Sequence, residues 1–268
     1  MPDLNVNDIS LHYETDGSGP PLLLLSGLLS DSAASAPLVP LLAPDFTVIR
    51  PDNRSTGRTA PWDAPATMDH MVRDTIALMD HLGHSQFYVA GHSMGGLMAL
   101  EIAGLYPARV VAATVMASGR VRSPRTNAVF DALLKIRRMP QGEEAWLRAL
   151  YPWMFGPGFF EDPANVETAL EAALAYPYAQ TADAMAHQVA AFQKFRPQAS
   201  LEQITSPTLI LYAAQDTLVP PALARPGFSA IPNKTEITVA DAGHSIIWDT
   251  PSEVATHLSG FLQDHPIR

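Results

Sequence analysis

The chain has 268 residues, of which 47% are hydrophobic and 16% are charged, and its formal net charge is −10. This length and composition predict one globular domain with a large hydrophobic core and room for an insertion. The acidic balance argues against binding to nucleic acid or to an anionic membrane surface. Because the sequence has no cysteine, disulfides, thiolate nucleophiles and thiolate metal ligands are excluded.

The N-terminal segment shows no pattern typical of a secretory signal. The first residues, MPDLN, lack a basic stretch followed by an apolar one, so no signal peptide is expected. The longest apolar run, around residues 21–25, is too short to cross a bilayer. We therefore expect a soluble, cytoplasmic protein.

The first part of the chain alternates between strand and helix patterns. Strands are predicted over residues 9–13, 22–26 and 46–50, and a helix is predicted over residues 67–82. The first strand alternates polar and apolar residues, whereas the second is a continuous apolar run, as in a strand buried on both faces. The helix is expected to begin near Thr67 or Asp69 and to end at Gly83. This alternation predicts an α/β fold with a mostly parallel sheet that is covered on both faces.

A Gly-x-Ser-x-Gly segment at residues 91–95 joins a strand predicted over residues 86–90 to a helix predicted over residues 97–106. A serine hydroxyl is a poor nucleophile at neutral pH, so it must be presented on a sharp turn and activated by a base. The glycines let strand and helix approach closely, and the helix N-terminus favours developing negative charge. We predict that Ser93 is a nucleophile; the alternative is a structural turn that carries a serine.

The pattern changes after a strand predicted over residues 110–117. From residue 120 to residue 197 the chain is rich in aromatic residues and proline, with helices predicted over residues 127–138, 143–154, 165–175 and 181–195. We interpret residues 120–197 as a helical lid inserted into a core of residues 1–119 and 198–268. The insertion point lies near the C-terminal edge of the sheet, where pockets form in α/β folds. The alternative is a peripheral helical subdomain with no role in the site.

The strand pattern returns over residues 208–212 and 235–239, and a helix predicted over residues 252–262 closes the chain. His244 lies in the loop after the last strand and is the predicted base. The orienting acid is expected between Ser93 and His244 in chain order. Asp216 follows a strand, in a loop that can reach the same edge of the sheet as the serine. Asp249 and Asp241 are rival candidates for the acid.

Residues around the serine turn are expected to complete the site. Acyl transfer needs donors for the oxyanion, and the predicted ones are the backbone N–H groups of Met94 and Leu28. Leu28 lies in the loop after the buried strand, where Gly27 permits an unusual backbone conformation. His92 is expected to shape the turn instead of acting as the base, because adjacent residues on a tight turn point in different directions.

These motifs, in this order, resemble the α/β-hydrolase superfamily over essentially the whole chain. The matching segments are Ser26-Gly27-Leu28, DNRSTGRT at residues 52–59, GHSMG at residues 91–95, and Asp216 with His244. Ser26 replaces the histidine that is usual in the first motif, and Ser55 replaces a glycine in the second. The second motif is expected to be structural, with a substrate carboxylate as the alternative partner of Arg54. Size and spacing look most similar to small carboxylesterases and 3-oxoadipate enol-lactonases.

The resemblance implies an α/β-hydrolase fold with a mostly parallel central sheet, flanking helices and an inserted helical lid. It implies a serine hydrolase that cleaves a carboxylic ester or lactone of a small, partly apolar substrate through an acyl-enzyme. No metal and no organic cofactor are expected, and the expected partner is a small molecule, not nucleic acid or membrane. Leu29, Trp153 and Phe155 are predicted to line the substrate pocket. Both a monomer and a homodimer are compatible with the sequence.

Other activities of the same fold remain open. Aspartate is the usual nucleophile of haloalkane dehalogenases and most epoxide hydrolases, so the serine argues against both. A C–C bond hydrolase and a cofactor-free perhydrolase are compatible with a serine nucleophile. A receptor that binds a small ligand and turns it over slowly is a further alternative, which the turnover rate would distinguish.

Overall fold

The computed structural model describes residues 3–120 and 123–267. The strands are β1 (Asp3–Val6), β2 (Ile9–Asp16), β3 (Pro21–Leu25), β4 (Thr47–Pro51), β5 (Phe87–His92), β6 (Val110–Met116), β7 (Thr208–Ala213) and β8 (Lys234–Val239). The α-helices are α1 (Val39–Leu42), α2 (Met68–His81), α3 (Met94–Leu105), α4 (Pro124–Arg137), α5 (Gly142–Met154), α6 (Pro163–Ala175), α7 (Ala182–Lys194), α8 (Pro221–Ala224), α9 (Ile246–Asp249) and α10 (Pro251–Gln263). None of these helices combines the length and the apolar character needed to cross a bilayer.

The strands form one eight-stranded sheet in the order β1-β2-β4-β3-β5-β6-β7-β8. The pairs β1–β2 and β2–β4 are antiparallel, and all pairs from β4 to β8 are parallel. This confirms the predicted α/β class. Strand β1 was not predicted, because Asp3–Val6 is short and half exposed, and it forms by pairing with the edge of β2.

Each face of the sheet is covered by helices, and β3 shows how the sequence dictates this. Leu23 and Leu25 pack into one core with α2 and α3, whereas Leu22 and Leu24 pack into the opposite core with α1 and α10. All four leucines are essentially inaccessible to solvent. A strand buried on both faces needs a continuous apolar run, so the prediction for this segment is confirmed.

Helices α4 to α7 lie between β6 and β7, as the sequence predicts. Two of them begin earlier than predicted, because a capping side chain and a proline define each start: Ser123 before Pro124, and Asp162 before Pro163. Of the predicted lid, residues 121 and 122 lie outside the described part of the chain. The division into core and lid at residues 119 and 198 stays a prediction.

Candidate active site

The serine turn joins β5 directly to α3. Ser93 has φ of 53° and ψ of −116°, a conformation that L-residues rarely adopt. A Cβ on Gly91 would lie 2.0 Å from the carbonyl oxygen of Gly95, and one on Gly95 would lie 2.2 Å from that of Leu25. The two glycines therefore permit the close strand–helix approach that lifts the serine to the C-terminal edge of the sheet.

The structure brings the three predicted triad residues together. Ser93 Oγ lies 2.9 Å from His244 Nε2, and His244 Nδ1 lies 2.8 Å from Asp216 Oδ2. The side chains of His244 and Asp216 are 2% and 1% exposed. Because an ionised carboxylate can only accept, Nδ1 donates to Asp216, which leaves Nε2 to accept the Ser93 hydroxyl proton. This is the arrangement that activates a serine.

Asp216 is held in its ionised form by its surroundings. Burial alone would raise the pKa of the carboxyl group, but nearby His244 and the hydrogen bonds outweigh it and hold the pKa below its usual value. Its second oxygen, Oδ1, accepts the backbone N–H groups of Leu218 at 2.8 Å and Val219 at 2.7 Å. The carboxylate therefore remains charged and fixed in orientation next to the imidazole.

The two rival acids lie elsewhere. Asp249 Oδ2 accepts the backbone N–H groups of Gly243 at 2.7 Å and Gly156 at 3.0 Å, so it joins the end of α5 to the His244 loop. Burial raises the pKa of the Asp249 carboxyl, and these two donors partly offset the rise. Asp241 is exposed. Neither residue is hydrogen-bonded to the imidazole.

His92 contacts the base through the backbone. Its Nε2 donates to the carbonyl oxygen of His244 at 2.7 Å, and the two ring centroids lie 5.0 Å apart. Burial, reinforced by the charge of His244, lowers the pKa of His92 to about 4, so its ring is neutral near pH 7. The sequence indicates a role for His92 in shaping the turn but gives no sign of this bond to the His244 loop.

The predicted oxyanion donors are next to the serine. A Cβ on Gly27 would lie 3.2 Å from Ser93 Cβ, so this loop packs directly against the nucleophile. The N–H of Leu29 donates to Gln188 Oε1 at 2.7 Å. Within the described residues, the N–H groups of Leu28 and Met94 donate to no other protein group. Both are thus available to a ligand, as an oxyanion hole requires.

The three predicted pocket residues differ in their surroundings. We call helices α4 to α7, with the segments that join them, the helical insertion. Leu29 packs against both of the small hydrophobic clusters that these helices help to form. The Phe155 ring stacks on the Phe159 ring with centroids 4.0 Å apart, so one face of Phe155 packs within the insertion. The Trp153 ring lies 5.2 Å from the guanidinium of Arg125. Their role in substrate binding stays a prediction.

A cavity of about 570 Å³ lies between the sheet edge and the insertion. Leu97, one helical turn after Ser93, is on one wall, and Leu218 and Val219, which bind Asp216, are on another. Phe192 of α7 and Leu223 extend the apolar lining. No sequence motif marks these residues, although the four-residue spacing from the serine places Leu97 on the same face of α3.

Arg54 is not at this site. Its side chain is 1% exposed and donates to both carboxylate oxygens of Asp74, at 2.5 and 3.0 Å, and to Asp8 at 2.7 Å. A further bond reaches the carbonyl oxygen of Pro65 at 2.8 Å. The second motif is therefore structural, as expected, and Arg54 does not face a substrate.

Comparison with known proteins matches the sequence to one family. A sequence profile described as alpha/beta hydrolase fold matches residues 20–251. A chain from Azorhizobium caulinodans, named carbamate hydrolase RutD, is 29% identical over 263 residues, which are 97% of this chain and 98% of the relative. The enol-lactonase of Burkholderia xenovorans LB400 superposes with a TM-score of 0.85 at 24% identity, covering 98% of this chain and 100% of that one. A thermophilic esterase of Thermogutta terrifontis superposes with a TM-score of 0.83 at 25% identity, covering 96% and 95%.

Proposed function

The chain belongs to the α/β-hydrolase fold family, and from this membership we propose that it is a serine hydrolase cleaving a carboxylic ester or lactone. The observation that carries the proposal is the continuous hydrogen-bonded path from Ser93 Oγ through His244 to Asp216. The buried imidazole, oriented between Asp216 and the serine, and the strained strand–helix turn that carries Ser93 also support the proposal. The substrate is small and partly apolar, in keeping with the neighbouring cavity.

The reaction proceeds in two steps. Ser93 Oγ attacks the carbonyl carbon while its proton passes to His244 Nε2, and Asp216 stabilises the imidazolium that forms. The N–H groups of Leu28 and Met94 stabilise the oxyanion, and the positive end of α3 adds to this field. The intermediate then collapses, the leaving oxygen takes the proton from His244, and an acyl-serine remains. A water molecule that gives its proton to His244 hydrolyses this ester and restores the enzyme.

The cavity that is lined by Leu218 and Val219, the two backbone donors to Asp216, supports the choice of an apolar acyl group. Its apolar walls, formed in part by Leu97, Leu218 and Leu223, offer an acyl chain a surface away from water. Pockets of this size hold small organic molecules. Arg120 and Arg196 are also among the lining residues, so the lining is partly polar. The proposed substrate therefore carries a short apolar acyl chain.

Carbamate cleavage is a second candidate function, because the relative from Azorhizobium caulinodans is named a carbamate hydrolase and aligns with this chain over nearly its whole length. A carbamate carbonyl is attacked by the same serine and needs the same oxyanion donors. The difference is the nitrogen on the carbamate carbonyl, which either remains in a carbamoyl-serine when the alcohol leaves or departs as the amine. A substrate panel that includes carbamates therefore decides between the two.

The test measures hydrolysis of short-chain aryl esters, lactones, enol-lactones and carbamates by the wild-type chain and by S93A. We expect multiple turnovers on an ester or lactone, and a loss of about 10³-fold or more in kcat for S93A, because the triad acts as a unit. S252A, which removes an exposed serine of α10, is the matched control and should keep full activity. Full esterase activity in S93A would refute the proposal. Tight binding of a small ligand with a turnover slower than about one per hour would instead indicate a receptor.

A further inference from the structure

Gln188 of α7 connects the helical insertion to the loop that carries the predicted oxyanion donor. It is completely buried, although glutamine is a residue type that is usually exposed. Its Oε1 accepts the N–H of Leu29 at 2.7 Å, and its Nε2 donates to the carbonyl oxygen of Arg54 at 3.2 Å. Both ends of this buried amide are therefore hydrogen-bonded to the backbone of the core, which joins α7 to two core loops.

The orientation of this amide is fixed by its partners. A backbone N–H can only donate and a carbonyl oxygen can only accept, so Oε1 must face Leu29 and Nε2 must face Arg54. Arg54 is itself immobilised by its bonds to Asp74 and Asp8. Gln188 thus holds the Leu29 N–H at a fixed distance from a rigid, buried part of the core.

Leu29 needs such a partner. Its φ is +66°, in the left-handed region that is unfavourable for a leucine. With its N–H directed at Gln188, the Leu28–Leu29 peptide plane is set. The Leu28 N–H lies on the other side of the Leu28 Cα and has no protein partner among the described residues. On the far side of the same loop, Tyr176 donates its hydroxyl to Asp31 at 2.7 Å, so the insertion holds the loop at two points.

We propose that Gln188 is a positioning residue of the oxyanion hole: by binding the Leu29 N–H, it orients the Leu28 N–H toward the oxyanion. This inference rests on the proposed function and makes the helical insertion part of the catalytic apparatus. Gln188 touches no reacting atom, so removing its amide is expected to weaken stabilisation of the transition state and to leave binding of the ground state almost unchanged.

The test compares Q188L and Q188E with wild type. Loss of a direct oxyanion donor costs about 10²–10³-fold in kcat, so loss of its support in Q188L is expected to cost about 10- to 100-fold, with KM within about threefold. Q188E keeps an oxygen for the Leu29 N–H, and burial favours the protonated carboxyl, whose O–H can donate to the Arg54 carbonyl in place of Nε2. Q188E should therefore retain more of the activity than Q188L. Q263L, which alters an exposed glutamine of α10 that bonds to Asp45, is the control. The concentration of active sites is measured by titrating Ser93 with a fluorophosphonate. Each kcat is calculated from that concentration, so unfolded protein does not lower its value.

A trifluoromethyl ketone gives a readout that lost stability alone would not change. Ser93 Oγ adds to the ketone carbonyl, its proton passes to His244, and the resulting hemiketal oxyanion occupies the oxyanion hole. Its Ki is expected to rise in Q188L by about the same factor as kcat falls, because both depend on the same donors. If Q188L does not fold, Q188A takes its place in the comparison.

Three outcomes would overturn the proposal: kcat and Ki of Q188L within about threefold of wild type, a loss that appears in KM alone, or equal losses in Q188L and Q188E. Failure of the proposed function is distinguishable, because full activity in S93A would remove the serine mechanism altogether. An inactive S93A together with an unaffected Q188L would contradict only the role of Gln188.

Discussion

At the scale of single residues, His92, which bonds to the loop that carries His244, makes the free energy of unfolding depend on pH. Its neutral ring donates to the His244 carbonyl, and burial lowers its pKa to about 4, well below the value of about 6.5 in an unfolded chain. Between these two pH values the unfolded state binds the extra proton and the folded state does not. The free energy of unfolding therefore decreases as the pH falls through this range, and the contribution of His92 is complete only above about pH 7.

We predict that H92Q, which keeps a donor near the Nε2 position but does not titrate, is less sensitive to acid than wild type. A depression of roughly 2.5 pKa units corresponds to about 2 kcal/mol lost by wild type between about pH 7.5 and pH 5, and H92Q should avoid this loss. Urea unfolding at both pH values gives the change in the free energy of unfolding for each protein. Subtracting one change from the other cancels the contributions of titrating groups that the two proteins share. Equal losses in the two proteins would contradict the prediction.

The triad residues are predictable from sequence because each lies in the turn or loop that follows a strand and belongs to a local motif. Gln188 is not predictable in this way, because its partners come from loops more than 130 residues away in the sequence. Asp249 shows the same limit: the sequence offers it as a rival acid, but packing of α5 gives it two backbone donors instead. Such roles depend on tertiary packing, which one sequence read by local pattern does not contain.

At the scale of elements, the end of α5 is fastened to the base loop. Ser245 N–H donates to the Met154 carbonyl at 2.6 Å, and Asp249 accepts one N–H from each segment. A Cβ on Gly243 would lie 2.5 Å from the backbone nitrogen of Gly156, so the two segments are in direct backbone contact. With Gln188 and Tyr176 at the opposite side, the insertion is hydrogen-bonded to the core on both sides of Ser93.

We predict that D249A loosens this attachment. The variant leaves the N–H groups of Gly243 and Gly156 unpaired, which should lower the free energy of unfolding by about 1–3 kcal/mol. Hydrogen exchange of the peptides that contain these two glycines should be faster than in wild type. D241A, which removes an exposed carboxylate from the same loop, serves as the control, and similar exchange in both variants would rule out a fastening role for Asp249.

At the scale of the whole molecule, the proposed substrate cavity belongs to neither the sheet nor the insertion alone. Leu97 comes from α3, Leu218 from the loop after β7, and Phe192 from α7. The fold class, the strand–turn–helix around the serine and the four inserted helices follow from periodicity and capping residues. The shape of the cavity does not, because it depends on the directions of side chains from three separate parts of the chain.

We predict that L97W narrows this cavity and shifts selectivity toward short acyl groups. The larger side chain should reduce kcat/KM for an octanoate ester by about tenfold or more relative to an acetate ester, since a few methylenes are each worth about 1 kcal/mol or more. L105W, at an exposed position of the same helix, is the control. An unchanged ratio of the two esters would show that the acyl chain lies elsewhere.

The backbone of Ser93 has a consequence for how this protein can be stabilised. A serine with φ of 53° and ψ of −116° stores strain of about 1–3 kcal/mol, which a glycine would relieve at a smaller cost in chain entropy. S93G is therefore expected to abolish turnover and to unfold at a higher urea concentration than wild type. Selection for thermal stability alone would thus favour loss of the nucleophile, so thermostable variants of this chain must be screened for activity in every round.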